Sequence, residues 1–134
     1  MSAISFLSGR ISSLASRGSD QNSLLDALDK SQAVIQFEPD GTIITANENF
    51  LSAIGYSLEE IQGKHHSMFV ETSYGKSAAY KQFWKKLAAG EFQAAEFKRI
   101  AKGGREIWIQ ASYNPVLNAA GKVEKVVKYA TDIT

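Results

Sequence analysis

The last third of the chain constrains the fold most, because it contains three strand-like segments joined by two short turns. In the middle segment, "REIWIQASYNPVL", apolar residues alternate with polar ones, which is the pattern of a strand with one buried face. Glycine-containing turns at 102–104 and 118–121 separate it from its neighbours, and such short turns join antiparallel strands. The predicted buried face of the middle strand consists of Ile107, Ile109, Ala111 and Tyr113.

A second hairpin and a run of short helices precede these strands. "QAVIQFEPDGTIITAN" turns at Pro39-Asp40-Gly41, where proline fixes φ and glycine accepts a positive φ. Asn47 then begins a helix, Ser57 and Glu60 have the spacing of a capping box, and "SAAYKQFWKKLAAG" is the clearest helix in the chain. Strands and helices segregated in this order predict an α+β domain whose antiparallel sheet carries helices on one face.

Residues 1–29 form a separate segment, and residues 30–134 are the predicted domain. An apolar stripe at helical spacing predicts an amphipathic helix over residues 3–16. A single helix of this length is marginal by itself, so its stripe is expected to pack against the sheet or against a second copy of the chain. The stripe, which supplies the predicted dimer contacts, consists of Ile4, Leu7, Ile11 and Leu14.

The composition excludes several classes of protein. The 134 residues include no cysteine, which removes disulfides, thiolate metal sites and cysteinyl cofactor adducts. A net charge of +1 gives no electrostatic reason to expect nucleic-acid binding. No apolar run approaches the ~20 residues of a membrane span, and we expect a cytoplasmic protein. Because no nucleophile elbow, paired-carboxylate motif or metal triad emerges, an enzyme is not expected.

Two segments together resemble the PAS domains of bacterial methyl-accepting chemotaxis receptors. "NENFLSAIGYSLEEIQGK" is similar to the central PAS signature through Asn47, Phe50, Gly55-Tyr56-Ser57, Glu60 and Gly63. "AAEFKRIAKGGREIWIQASYNPVLNAAGKVEKVVKYATDIT" resembles the C-terminal half of these domains, including the final Asp132-Ile133-Thr134. The similarity extends over roughly residues 30–134, which is nearly all of the chain beyond the N-terminal helix.

This resemblance implies a five-stranded antiparallel sheet in the order 2-1-5-4-3 with short helices over one face. It implies a sensory input domain of an aerotaxis-like or energy-taxis-like receptor, which senses a small ligand or the redox or oxygen state. The last strand would relay the signal through Asp132 and Thr134 to a signalling helix, and from there to a receptor domain that acts on a histidine kinase. We expect a homodimer. Haem and FAD are both candidate cofactors, and a domain without any cofactor is an equal alternative.

The adjacent histidines His65 and His66 are the candidate ligands for haem iron. Neighbouring side chains diverge on a strand or a helix, and without cysteine or a third histidine a zinc site is not expected. Haem needs one axial histidine, and the resemblance implies that one of the pair can serve, because some chemoreceptor PAS domains bind haem through a histidine in this region. His66 is preferred to His65, although the sequence does not fix which face either side chain takes. The simpler interpretation, which we favour, is a short packed helix in which Met68 and Phe69 point inward and one histidine hydrogen-bonds the backbone.

Trp84, Trp108 and Asn47 are the other candidate cofactor-binding residues. A tryptophan can lie beside a flavin or a haem, but Trp84 falls on the apolar stripe of its helix, where a core role is commoner. Trp108 falls on the polar face of its strand, so it can instead mark a dimer contact or a covered sheet face. Asn47 is one of the few polar groups expected at an otherwise apolar pocket.

Three functions therefore stay open at this point: a sensory input domain, a cofactor-free module for dimerisation and signal relay, and a haem-based gas sensor. An absorption spectrum of the purified domain separates them. Haem gives a Soret band, a flavin absorbs at longer wavelength, and a colourless protein with a filled interior favours the relay module.

The role of the N-terminal stripe can be tested by introducing a charge. Leu7→Asp places a carboxylate in the predicted dimer contact, and burying an unpaired charge is unfavourable. We expect this variant to shift the protein toward monomer in sedimentation velocity at equal concentration. Ser13→Asp, on the opposite side of the same predicted helix, is the control. An unaltered mass for Leu7→Asp would show that the helix is not the dimer contact.

Overall fold

The computed structural model of the protein describes residues 32–134, so the predicted segment 1–29 and its dimer contacts lie outside the described residues. The strands are β1 (Ala33–Phe37), β2 (Ile43–Ala46), β3 (Gln93–Ile100), β4 (Glu106–Leu117) and β5 (Val123–Asp132). The α-helices are α1 (Glu48–Ile54), α2 (Leu58–Ile61), α3 (Thr72–Gly75) and α4 (Ala78–Ala88), and single 3-10 turns lie at His66–Phe69 and Lys102–Gly104.

The five strands form one antiparallel sheet in the order β2-β1-β5-β4-β3. The predicted α+β class and strand order are both confirmed. The last strand of the chain, β5, lies in the centre, where it pairs with β1 from Ala33↔Ala130 to Phe37↔Val126. Its other edge pairs with β4 from Ile109↔Asp132 to Leu117↔Val123. Both edges of β5 are therefore hydrogen-bonded to a neighbouring strand.

The predicted buried face of β4 is confirmed, because all four of its predicted residues are at most 5% exposed. Helix α4 packs against β4 and contributes the buried side chains Tyr80, Trp84 and Leu87 from one stripe. Alternating strand residues and one helical stripe thus meet in a single core on one side of the sheet. On the opposite side of β4, Trp108 is 47% exposed.

Side-chain caps fix where the first two helices begin. Asn47 Oδ1 accepts hydrogen bonds from the N–H groups of Phe50 (3.0 Å) and Val34 (2.9 Å), so this N-cap also ties α1 to β1. Ser57 and Glu60 form the predicted capping box: the Ser57 N–H donates to Glu60 Oε1 (2.8 Å), and the Glu60 N–H donates to Ser57 Oγ (3.3 Å). Each cap satisfies backbone groups that a helix leaves without an intrahelical partner.

The hairpin turn between β1 and β2 is packed beneath the segment that carries the two histidines. Gly41 has φ +97°, and a Cβ added there would lie 2.7 Å from His65 Nε2 and 2.9 Å from Trp84 Cε2. The carbonyl of Gly41 accepts from the His66 N–H at 2.9 Å, and Thr42 forms an isolated antiparallel bridge with His65. Glycine is therefore required here both by the backbone angle and by the close approach of two rings.

Gly41→Ala separates these two requirements when it is compared with Gly121→Ala. Gly121 also has a positive φ (+80°), but a Cβ there would meet nothing within 4 Å. We expect Gly121→Ala to lower the free energy of unfolding by about 1 kcal/mol, which is the strain of the left-handed conformation. Gly41→Ala should lose about 1–3 kcal/mol more, because the rings must also move. Urea unfolding measures both; equal losses would contradict the packing of this turn.

Candidate functional site

The two histidines have different environments, although they are adjacent. His65 Nδ1 accepts from the Ser67 N–H (3.0 Å), and its other nitrogen, Nε2, lies 2.7 Å from the Asp40 carbonyl oxygen. A carbonyl can only accept, so Nε2 carries the proton and His65 is held in one tautomer by two backbone groups. His65 therefore caps the 3-10 turn and joins it to the β1–β2 hairpin.

His66 is fully buried and contacts two tyrosines from different elements. Its Nδ1 lies 2.7 Å from the hydroxyl of Tyr80 on α4, and its Nε2 lies 2.8 Å from the hydroxyl of Tyr113 on β4. Arg99 on β3 donates from Nη2 to the same Tyr113 hydroxyl at 3.0 Å. These four side chains, which we name the buried network, connect the 3-10 turn, α4 and two strands.

The donors of the buried network fit one direction of hydrogen bonding. Arg99 can only donate, so Tyr113 accepts from it and its own O–H is available for His66 Nε2. His66 Nδ1–H then donates to Tyr80, and every ring nitrogen is satisfied with a neutral imidazole. Burial lowers the pKa of His66 well below 6.5, and the nearby positive charges of Arg99 and Lys128 lower it further. Burial also raises the pKa of Tyr113, so this tyrosine stays protonated. The buried network is therefore uncharged apart from Arg99.

A small cavity lies between α1 and the sheet, beside the buried network. Its volume is about 20 Å³, which is room for about one water molecule. Three alanines, Ala33, Ala53 and Ala130, line it together with larger apolar residues of α1, β4 and the 3-10 turn. The charged residues at its wall are Arg99, Lys128 and Asp132.

Lys128 is the least expected residue of the core. It lies on the inner face of β5 and is only 1% exposed. Its ammonium lies 4.9 Å from the centroid of the Tyr113 ring and 5.6 Å from that of Phe50, so its visible contacts are cation–π contacts. Burial lowers the pKa of Lys128 well below 10.5, and the charge of Arg99 acts in the same direction.

The end of the last strand is tied back to β4 beside this cavity. The Ile133 N–H donates to the Trp108 carbonyl (2.9 Å), and the Trp108 N–H donates to Thr134 Oγ1 (2.9 Å). Asp132 Oδ1 accepts from the Thr134 N–H (2.9 Å), and this hydrogen bonding lowers the pKa of the Asp132 carboxyl. The two predicted relay residues thus lie together, and Asp132 also borders the cavity.

The other predicted cofactor-binding residues are not at the cavity. Trp84 packs in the core, with its ring 5.2 Å from Phe37 and 5.3 Å from His66. Asn47 uses its amide to bond backbone groups at the start of α1, including the Gln32 carbonyl at 2.8 Å. Trp108 alternates with Ile107 and Ile109 and lies, as its strand position predicts, on the face of β4 opposite the core.

The packed core does not fit haem or flavin. Both nitrogens of His66 are engaged by tyrosines, so an axial bond to iron would require one of these buried hydrogen bonds to break. A volume of about 20 Å³ is also far below that of a pocket for a drug-sized ligand, which is roughly 300–1,000 Å³. Within residues 32–134, no group of three or more His, Cys, Asp or Glu side chains could hold a metal ion.

Arg99, Lys128, Tyr80 and Tyr113 define the site, but sequence reasoning gave none of them a functional role. A signal was present in β5, where Val126, Lys128 and Ala130 follow a period of two. Their burial at 0%, 1% and 4% shows that the lysine replaces an apolar residue of the inner face. A charged residue at a position that the period of two assigns to the buried face is the pattern that would have indicated the site.

The strand order β2-β1-β5-β4-β3, with helices over one face, defines the fold class of the protein. Comparison with known protein families identifies the same class. The family model described as "PAS fold" matches residues 28–134. The chain belongs to the PAS family.

The curated relatives include a biofilm dispersion protein and an aerotaxis receptor. The chain is 48% identical over 107 residues to the biofilm dispersion protein BdlA of Pseudomonas aeruginosa, which covers 80% of this chain and 26% of BdlA. It is 32% identical over 92 residues to the aerotaxis receptor of Escherichia coli, which covers 69% of this chain and 18% of the receptor. The chain thus spans about a quarter or less of each of these relatives.

Solved structures show the same fold at lower sequence identity. An RNA-binding light-oxygen-voltage receptor superposes with a TM-score of 0.76 and 22% identity, over 92% of this chain and 35% of that one. A PAS domain of a protein from Colwellia psychrerythraea superposes with a TM-score of 0.72 and 19% identity, over 85% and 97%. In the part of the chain that the structure describes, no helix is long and apolar enough to cross a membrane.

The neutral state of His66 predicts a dependence of stability on pH. The pKa of His66 is lowered in the folded state, whereas an unfolded histidine titrates near 6.5. The contribution of His66 to the free energy of unfolding is therefore constant above pH 6.5. It falls as the pH drops below that value, because the unfolded chain binds the proton at a higher pH than the folded chain does. The contribution of His66 has a slope of up to about 1.4 kcal/mol per pH unit.

Urea unfolding between pH 7 and pH 5 measures this slope. We expect His66→Gln to remove this slope. His65→Gln, which replaces the neighbouring imidazole, should retain it. The lowered pKa values of Asp40, Glu60 and Asp132 affect stability only at lower pH, near and below the ordinary values of carboxyl groups. The lowered pKa of Lys128 contributes equally to the parent chain and to both variants, so an equal slope in His66→Gln and in the parent chain would contradict a neutral buried histidine.

Proposed function

We propose that the chain is a sensory input domain of a chemotaxis receptor, which relays a change at the cavity to the segment Asp132–Thr134. The observation that carries the proposal is that the cavity and this segment share strands β4 and β5. Lys128 and Ala130 line the cavity from β5, and Asp132 is the next inward residue of the same strand. The similarity to BdlA and to the aerotaxis receptor supports the assignment to chemotaxis.

The path between the cavity and the end of the chain is short. Ile107 and Ile109 line the cavity from β4, and Trp108 between them bonds Ile133 and Thr134 through its backbone. A shift of β4 relative to β5 changes both the cavity wall and these terminal hydrogen bonds. A signal moves such an equilibrium only by the difference in its affinity for the two states.

Binding, without catalysis, is the role that the residues support. His66 is fully buried and hydrogen-bonded to two tyrosines, so it is not exposed for proton exchange with a substrate. We propose a cytoplasmic homodimer that acts through a receptor domain on a histidine kinase. The fungal blue-light photoreceptor Vivid, whose light state is a dimer, has a related fold. It superposes with a TM-score of 0.64 at 20% identity over 75% of this chain and 77% of that one.

The dense packing favours a second candidate, which is a relay module without a bound cofactor. The described residues leave only about 20 Å³ beside the network. In that case the input would come from a neighbouring domain, and the same two strands would transmit it. A colourless purified protein would be consistent with this module and with a sensor for a small colourless ligand.

Filling the cavity from β5 tests the relay. In a chimera, residues 30–134 replace the matching segment of the Escherichia coli aerotaxis receptor, and kinase activity is measured. We expect Ala130→Val to shift the ratio of signalling states by about fivefold, or roughly 1 kcal/mol, because the added methyl groups press α1 away from the sheet. Ala94→Val, at an exposed position of β3, is the control and should leave the output unchanged.

Thr134→Val identifies the route. It removes the hydroxyl that accepts from the Trp108 N–H, so it should abolish most of the effect of Ala130→Val when the two are combined. Additive effects would mean that the signal leaves the domain elsewhere. An unchanged output in Ala130→Val, with the chimera folded and active, would rule out the proposed relay.

A further inference from the structure

Two buried cations lie on the inner face of the sheet with no acidic partner among residues 32–134. Lys128 on β5 is 1% exposed and Arg99 on β3 is 4% exposed, and Tyr113 on β4 lies between them. The ion pairs of this part of the chain join Lys98 or Lys102 to surface glutamates and involve neither buried cation. Both side chains are buried without a counter-charge, which is strongly unfavourable for a charged group and lowers the pKa of Lys128, so a second function for this pair should be sought.

The hydrogen-bonding capacity of both cations is incompletely used. Arg99 donates to the Lys98 carbonyl (2.8 Å) and to Tyr113 Oη (3.0 Å), while its buried Nε has no partner. The ammonium of Lys128 meets the faces of two aromatic rings, and no oxygen of the described residues accepts a hydrogen bond from it. Donors that remain free beside a cavity are the complement of an anion with several acceptor lone pairs.

The cavity wall has one charged region and is otherwise apolar. Arg99 and Lys128 lie at the wall with Ala33, Ala53 and Ala130, whose small side chains leave the space. Asp132 borders the same cavity, but it is exposed, and its carboxylate already accepts from the Thr134 N–H. A ligand with a second negative group would approach this carboxylate, so a single charge is favoured.

We propose that this cavity binds a short-chain monocarboxylate, with its carboxylate toward Lys128 Nζ and the Arg99 guanidinium and its alkyl chain against the alanines. The proposal rests on the proposed sensory function and names its ligand class. A phosphate or a dicarboxylate would leave charge against the apolar wall, and a cation would be repelled by two positive groups.

The size of the cavity links binding to signalling. The present volume holds about one water molecule, so a carboxylate with an alkyl chain fits only when α1 moves outward. Helix α1 has seven residues, and Phe50, Ala53 and Ile54 form its side of the cavity. The ligand thus binds one of two packings of α1 on the sheet, which is the differential affinity that a sensor requires.

The test uses propionate and its neutral isostere propionamide on the 134-residue chain, with ionic strength held constant by NaCl. We expect propionate to give a saturable signal in isothermal titration calorimetry and shifts of the Ala33, Ala53 and Ala130 methyl resonances. Propionamide should bind at least about tenfold more weakly, because it lacks the charge that Lys128 and Arg99 recognise. Equal affinity for the two compounds, or no propionate binding to the folded chain, overturns the proposal.

Lys128→Met and Lys125→Met are the matched variants. Methionine keeps the length of the side chain and removes a buried charge, so Lys128→Met is expected to fold. It should weaken propionate binding at least about tenfold, which corresponds to the loss of one charged hydrogen bond. Lys125 lies on the same strand but bonds Gln36 Oε1 instead of facing the cavity, so Lys125→Met should bind propionate normally. Unchanged binding in Lys128→Met overturns the proposed site.

Ala53→Leu provides a test that keeps both cations. It fills the cavity from α1, and we expect it to weaken propionate binding by at least about tenfold while the chain stays folded. Unchanged binding would place the ligand elsewhere and overturn the proposal.

The receptor chimera keeps the two hypotheses apart: a response to Ala130→Val without propionate binding leaves the relay intact and removes only the ligand class. Propionate binding without any relay leaves the ligand class and removes the function.

Discussion

The hydrogen bond between His66 and Tyr113 is the interaction on which the rest of the structure depends. It joins the 3-10 turn of the helical layer to the inner face of β4 in the middle of the core. His65, one residue earlier, holds the same turn to the β1–β2 hairpin through the Asp40 carbonyl. Two adjacent histidines therefore attach the helical layer to the sheet at two points, and the aromatic core packs around them.

The buried network also explains why Arg99 can lie inside the protein. Its guanidinium meets the Tyr113 hydroxyl and the Lys98 carbonyl, and it lies 4.7 Å from the centroid of the Phe97 ring. None of these groups carries a negative charge, so Arg99 keeps the surrounding potential positive. That potential, together with burial, keeps His66 neutral and lowers the pKa of Lys128. The charges of the core are thus coupled, and an anion beside Lys128 would change the electrostatic environment of every member of the network.

The sequence predicts the frame of the domain well and its interior chemistry poorly. Strand alternation in β4, the capping box at Ser57 and the helix α4 are local patterns, and each is found as predicted. The site instead depends on register: Lys128 is paired with Tyr113 across β5 and β4, and Arg99 is paired with Ile107 across β3 and β4. Such pairings join residues distant in sequence, and lysine and arginine are usually surface residues. Trp108 shows the opposite case, because strand alternation alone predicts its position on the outer face of β4.

The charged residues place the cavity toward the C-terminal end of β5. In β5 the inward residues Lys128, Ala130 and Asp132 follow one another toward the end of the strand. The first supplies a buried charge, the second supplies space, and the third bonds the backbone of Thr134. A larger residue in place of Ala130 would separate α1 from the sheet, and a neutral residue in place of Lys128 would make the core more conventional and more stable. A costly lysine lies two positions before one of the three alanines of the cavity wall. This is most simply explained if the space and the charge serve the same ligand.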